Sequence, residues 1–206
     1  MRASPTRKGP WMQNMEALTL TGGEQDWTHD SMLVRAAQKD AAAFEDLYQR
    51  YRHRVYAYLR ARTPSGEDAE DLTQQVFVQA LAALPRYHDR GSGFAPWLFR
   101  IARNAATNFQ TRGSRPTVAW EQLPAAHHPP ATHDLERDVV YDEDVEHLQR
   151  LLVTLSSEAR EILALRFAGH LTTAEIAALI GKSEAATKKQ LSRTLHSLKE
   201  RYHERP

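Results

Sequence analysis

Apolar residues in this chain recur at steps of three and four, and nowhere alternate over the length of a strand. Phe44, Leu47, Tyr48, Tyr51, Val55 and Leu59 mark one stripe. Leu72, Val76, Ala80, Leu81 and Leu84 mark a second, and Trp97, Leu98, Ile101, Ala105 and Phe109 a third. Such spacing draws one face of a helix with 3.6 residues per turn, and it leaves no framework for a sheet. The breaks are local too. "TPSG" (Thr63 to Gly66) interrupts the first stripe, Pro85 stops the second because its ring cannot continue a helix, and Gly113 and Pro116 close the third. The fold expected is all-α.

The period lapses twice, which divides the chain. Residues 1–29, with Pro5, Pro10, Gly22 and Gly23, read as a flexible leader in which Trp11 and Trp27 are candidate anchors. Residues 30–112 hold the three stripes. Residues 113–141 then read as a linker: "LPAAHHPPATHD" is rich in proline, alanine and histidine, and an acidic run follows. From Glu121 to Glu146 the carboxylates are Glu121, Asp134, Glu136, Asp138, Asp142, Glu143, Asp144 and Glu146, against Arg137. Residues 142–206 form a second helical block. Val145, Leu148, Leu152 and Leu155 open it, Ser156 is an N-cap for a helix carrying Ile162, Leu163, Leu165 and Phe167, and Gly169 ends that helix.

Composition narrows the function classes. A net charge of +1 rules out a uniformly basic coat, so any nucleic-acid surface must be a local patch. The absence of cysteine removes disulfides, thiolate metal sites and cysteine nucleophiles. No run of about 18 apolar residues exists to span a membrane, and no apolar stretch follows Arg2, Arg7 and Lys8 as in a signal peptide. A cytoplasmic protein without membrane contact is expected. The histidines are scattered, and there is neither a phosphate-cradling glycine loop nor a nucleophile–base pair. No enzyme, cofactor or metal site is expected.

The stretch "LTTAEIAALIGKSEAATKKQLSRTL" carries the densest local information. Thr172 with Glu175 three residues on fits a capping box, Ala177 is small enough for two helices to cross, and Gly181 tolerates the positive φ of a tight turn. Ser183 can cap the second helix, whose Leu191, Leu195 and Leu198 face inward. Ser183, Lys188, Lys189, Ser192 and Arg193 then face outward as DNA-binding candidates of a helix-turn-helix. A plain helical hairpin with a solvated basic face is the other reading of the Ala177–Gly181 pair taken alone.

Two further stretches, "EDAEDLTQQVFVQALAAL" and "FAPWLFRIARNAATNFQTR", resemble region 2 of the bacterial sigma-70 superfamily, while "LRFAGHLTTAEIAALIGKSEAATKKQLSRTL" resembles region 4. Both, in this order and joined by a linker, resemble the extracytoplasmic-function (group 4) sigma factors. The resemblance implies partners: core RNA polymerase, through its β′ clamp and β subunit, promoter DNA, and an anti-sigma factor. It implies that Asp71, Gln74 and Gln75 dock on the clamp; residue chemistry alone reads the carboxylates Glu67, Asp68, Glu70 and Asp71 as stabilising a helix N-terminus.

It also implies that the loop "RYHDRGSGF" and the outer face of the third helix hold the −10 element, through Arg86, Tyr87, Arg90, Trp97, Arg100, Arg103, Asn104, Asn108 and Arg112. Asn104 stands at the asparagine of the family's "IARN" motif and is the leading candidate for reading a base edge. For Trp97 a wedge at the point of strand separation and a place in the core both stand. The helix ends Asn108, Phe109, Gln110, Thr111, Arg112 where the family often has "DxLRR", and Thr187 stands in the recognition helix where an apolar residue is usual. For the acidic linker, an RNA-mimicking tether and a plain tether remain level. A stand-alone helix-turn-helix regulator, with a ligand-sensing or dimerising first domain, is the alternative function.

Overall fold

The computed structural model describes the backbone over residues 24–112 and 147–204, and every described element is helical. Four helices make the first half: α1 (Glu24–Lys39), α2 (Phe44–Arg60), α3 (Gly66–Ala83) and α4 (Phe94–Arg112). In the second half residues 147–153 form α5. Helix α6 (Ser157–Leu163) runs into a π-helical turn (Ala164–Ala168), and α7 (Thr173–Ile180) and α8 (Glu184–His203) complete the order. The leader residues 1–23, residues 113–146 with the linker's histidines and the whole acidic run, and the side chains of Trp27 and Arg112 lie outside the described residues.

The expected stripes become the core, except for Leu81 of the second, which the turn of the helix leaves 40% exposed. Leu47, Tyr51, Val55, Tyr58 and Leu59 of α2 are sealed, and α1, α3 and α4 pack around them. Phe94, Leu98, Phe99, Ala102 and Ala106 supply the inner face of α4. Tyr58 meets Phe99 edge-on with ring centres 5.5 Å apart, the offset geometry that the ring quadrupoles favour. Helix α1 begins at Glu24, within the stretch read as leader. Its apolar stripe is thin: Val34 and Ala37 are the buried apolar residues among its described side chains. What fastens it is polar: buried Asp30 accepts from the Tyr51 hydroxyl and, at 2.7 Å, from Arg50 Nε. Gln38 Nε2 donates to the carbonyls of Leu84 and Tyr87. A helix held this way leaves little trace in a hydrophobic period.

The second half packs α6 and α7 against α8, with Ile162, Leu165, Leu171, Ile176, Leu191 and Leu198 between them. The halves are not separate bodies. Helix α7 lies on α4 and the π turn lies on α2, so one apolar core runs through both.

Candidate functional site

Three surfaces carry the residues singled out above. The first is the outer face of α3. Ser65 caps this helix, its hydroxyl oxygen accepting from Asp68 N–H at 3.0 Å, and Glu67 and Asp68 place negative charge at the positive end of the backbone dipole. Ala69, Leu72, Val76, Phe77 and Ala80 turn inward. Asp71, Gln74 and Gln75 stand exposed on the opposite side, together with Val78, which is 68% exposed. Leu72, Val76 and Phe77 are core. Val78 is the residue that the period did not flag: it is an apolar side chain left in water beside an amide pair.

The second surface is the loop before α4 and the outer face of that helix. Gly91 and Gly93 take φ of +92° and +82°, where side chains are strained. Asp89 Oδ1 accepts from both of their amides, at 2.8 and 3.0 Å, which fixes the loop as a compact turn. Arg86 and Arg90 are exposed on it, and Arg100, Arg103, Asn104 and Asn108 form an exposed row one turn apart along α4. Arg112 ends the helix. Gln110 is drawn away from that row by its bond to the Arg62 carbonyl at 3.1 Å.

Tyr87 departs from the expectation of an open stacking face. It is 9% exposed, packed edge-on to Phe94 and tilted on Trp97 with ring centres 5.8 and 4.8 Å away. Burial is the first cause that raises its phenol pKa, and the carboxylates of Asp89 and Asp30 add to it. Trp97 is half-buried and tilted on both Tyr87 and Phe94, three rings in mutual contact, so the indole is seated on the core with part of its surface outside.

The third surface is the hairpin. Glu175 N–H donates to Thr172 Oγ1 at 3.2 Å and Thr172 N–H donates to Glu175 Oε2 at 2.7 Å, a closed capping box. Gly181 adopts φ +73°, ψ +33°, and the Lys182 amide returns to the Ala177 carbonyl at 3.0 Å. Ser183 caps α8 by accepting from Ala186 N–H at 3.2 Å. Lys188, Lys189, Ser192 and Arg193 are exposed along one side of α8. Thr187 is fully buried, and its hydroxyl donates to the Ser183 carbonyl at 3.1 Å. The unusual threonine thus satisfies its polar atom within its own helix.

Sequence reasoning missed two bracing groups. Lys182, just past the turn, donates to Glu158 and to Gln190, tying α6 to the hairpin. The hydrogen bond from Lys182 holds the Glu158 carboxyl below its ordinary pKa. Glu161 is buried on the inner face of α6, with the Tyr58 hydroxyl donating at 2.8 Å and the Arg62 guanidinium paired to it. A carboxylate next to Ile162 on an apolar face is the sequence signal, but nothing local says what neutralises it. Among the described residues no cluster of histidines and carboxylates is placed to hold a metal ion, and no helix is long and apolar enough to cross a membrane.

Comparison with known proteins follows the same division. A family model described as sigma-70 region 2 matches residues 34–115, and one described as sigma-70, region 4 matches residues 146–198. The ECF RNA polymerase sigma factor SigD of Mycobacterium tuberculosis (strain ATCC 25618 / H37Rv) is 31% identical over 176 residues, covering 83% of this chain and 82% of SigD. Among solved structures, CnrH in complex with the cytosolic domain of CnrY superimposes with a TM-score of 0.59 at 23% identity, over 82% of this chain and 94% of that one. The sigma factor RpoE in complex with the anti-sigma factor NepR from Bartonella quintana gives 0.54 at 23% identity, over 79% and 98%. At those identities the structural likeness is one of fold.

Proposed function

We propose, for a chain that belongs to the extracytoplasmic-function group of sigma-70 RNA polymerase sigma factors, a division of its surfaces between polymerase and promoter. Sigma factors select where polymerase starts and catalyse nothing themselves. In this proposal residues 30–112 are the polymerase-binding and −10 domain, residues 113–141 the linker and residues 142–206 the −35 domain. The reading also makes the protein cytoplasmic, where polymerase works, and gives it an anti-sigma partner, as RpoE has in its solved complex.

The outer face of α3 meets the β′ clamp. Asp71, Gln74 and Gln75 supply hydrogen-bonding groups and Val78 an apolar centre, the mixture of a small apolar core and polar rim that suits a protein interface. Arg86, Arg90, Arg100, Arg103 and Arg112 attract the phosphates of the −10 region, and Asn104 reads a base edge with both amide atoms. An extruded base stacks on the open part of Trp97, with Tyr87 supporting the indole from beneath. Lys188, Lys189, Ser192 and Arg193 enter or flank the major groove at −35, and the Ser183 end of α8 points its free amides at phosphate.

The observation that carries this reading is the exposed row on α4. Arginines and asparagines project one turn apart from a helix whose buried face is apolar, and of the row Arg103 also lies 3.5 Å from buried Glu161. Run-off transcription with purified core polymerase tests it. Specific transcripts are expected only when the protein is added, and Asn104→Ala should cut them about 5- to 150-fold, the range of one bidentate base contact. Operator binding by the protein alone, with no transcript, would instead establish a stand-alone regulator.

A further inference from the structure

We propose that Gln38 and Asp89 are positioning residues for the −10 loop: they hold it, before DNA arrives, in the shape that receives a base. The proposal rests on the sigma-factor reading and deepens it at one site. The segment from Arg86 to Arg112 carries five arginines and, as its sole carboxylate, Asp89. A negative charge between Arg86 and Arg90 works against the attraction of phosphate, so attraction does not explain it. Its hydrogen bonds do. Asp89 Oδ1 accepts from the Gly91 amide at 2.8 Å and from the Gly93 amide at 3.0 Å, two donors on one oxygen.

Those two glycines need holding. Gly91 and Gly93 sit at φ +92° and +82°, and a Cβ at either would meet no atom within 4 Å. Packing therefore does not impose the turn, and a glycine left to itself samples many other conformations. The open space beside both leaves room for a nucleotide to approach the loop backbone.

The start of the loop is gripped from α1. Gln38, in the last turn of that helix, has an amide nitrogen with two hydrogens to give. It donates to the Leu84 carbonyl at 3.0 Å and to the Tyr87 carbonyl at 2.8 Å. The brace is itself anchored, since buried Asp30 of α1 accepts from Tyr51 and Arg50 of α2. Gripping the Tyr87 carbonyl sets the backbone from which that ring packs on Phe94 and Trp97, with centres 5.8 and 4.8 Å away. Gln38 thus fixes the seat of the half-buried indole, and Asp89 fixes the turn that follows. A loop already in its bound shape spares the binding step the cost of ordering it. Where only a fraction of molecules holds that shape, apparent affinity falls by the same fraction. The arginines attract phosphate with or without the shape, so its loss lowers preference for the correct base rather than DNA binding in general.

In the free full-length protein, isotope-labelled glycine reports the two amides directly by nuclear magnetic resonance. Asp89→Ala should speed hydrogen exchange at Gly91 and Gly93 about 2- to 10-fold, the range of one net hydrogen bond. Asp89→Asn, which keeps the oxygen acceptor and drops the charge, should leave exchange at the wild-type rate. Holoenzymes are then given a duplex library randomised over both promoter elements, and the heparin-resistant complexes are sequenced. Asp89→Ala and Gln38→Ala should flatten base preference in the −10 element about 2- to 10-fold for each hydrogen bond removed. Preference in the −35 element and affinity for core polymerase should stay unchanged, and Asp89→Asn should keep the −10 preference. Equal behaviour of Asp89→Asn and Asp89→Ala would reduce Asp89 to a charge and overturn the proposal. So would loss of preference in both elements alike, which marks a general loss of structure, or a wild-type preference in Gln38→Ala. Wild-type holoenzyme that selects no sequence at all would strike instead at the sigma-factor reading.

Discussion

Gly169→Ala tests the packing between the halves most directly. Gly169 has φ −77° and ψ −14°, values open to any residue, so the substitution carries no backbone strain. On chain entropy alone it should stabilise by about 0.4–1 kcal/mol, because alanine restricts the unfolded chain. The surroundings reverse the sign. A Cβ at this position would lie 2.8 Å from the Leu165 carbonyl oxygen, 2.8 Å from Phe99 Cε1 and 3.0 Å from Leu171 Cδ1, all short of the 3.4 Å at which ordinary contact begins. One neighbour is backbone and another is a ring fully buried in the opposite half, so neither can swing aside. Overpacking a filled site costs typically 1–3 kcal/mol. The net expectation is a loss of about 1–2 kcal/mol, which lowers the urea midpoint by about 0.5–1 M at a slope of ~2 kcal/mol/M. Phe99→Leu in the same chain withdraws the ring edge and should return part of the loss, a coupling of at least about 0.5 kcal/mol in a double-mutant cycle. An unchanged or raised midpoint for Gly169→Ala, together with an unchanged interdomain distance, would refute the packing described here.

Other perturbations probe the hairpin, the basic side of α8 and the buried phenols. Thr172→Ala opens the capping box and should cost about 1 kcal/mol in urea unfolding. Gly181→Ala meets no atom within 4 Å yet forces alanine to φ +73°, and a cost of about 1–2 kcal/mol from strain alone is expected in the same assay. Lys188→Ala or Lys189→Ala should reduce the log–log salt slope of holoenzyme binding to promoter DNA by about 0.9 for each phosphate left without its lysine; a slope equal to wild type would place that lysine away from the backbone. Burial is the main cause that lifts the Tyr58 phenol from 10.0 to about 12, against the opposing pull of Arg62 and Arg103. A folded-state pKa above the unfolded value means that its stabilisation is complete below pH 10 and disappears as pH rises toward 12. Tyr51 and Tyr87 shift in the same direction. Urea midpoints at pH 9 and 11 should therefore fall with pH, and a midpoint that rises would contradict the burial of these rings.

Much of the molecule was legible before folding because its signals are short in range. Thr172 and Glu175 find each other across one helical turn, Gly181 needs only its own φ, and Ser65, Ser156 and Ser183 cap amides three residues away. The exposed row Arg100, Arg103, Asn104 and Asn108 follows from helical spacing once Leu98, Ala102 and Ala105 turn inward. Helix α1 was less legible because Asp30 and Gln38 hold it by polar bonds to partners at least 20 residues away in sequence. Tyr87 was read from its chemistry as a stacking surface, and only the approach of Phe94 and Trp97 encloses it.

The amino-acid order by itself determined an all-α fold, the caps and turn of the helical hairpin and membership of one family, since periodicity, caps and motifs act between near neighbours. Tertiary structure alone decided that Glu161 meets Tyr58 and Arg62, that Arg54 reaches Gly169 and that α7 rests on α4. Those pairings join residues about a hundred positions apart. Whether a buried charge finds its counter-charge depends on which surfaces close over it in space, and no local pattern records that.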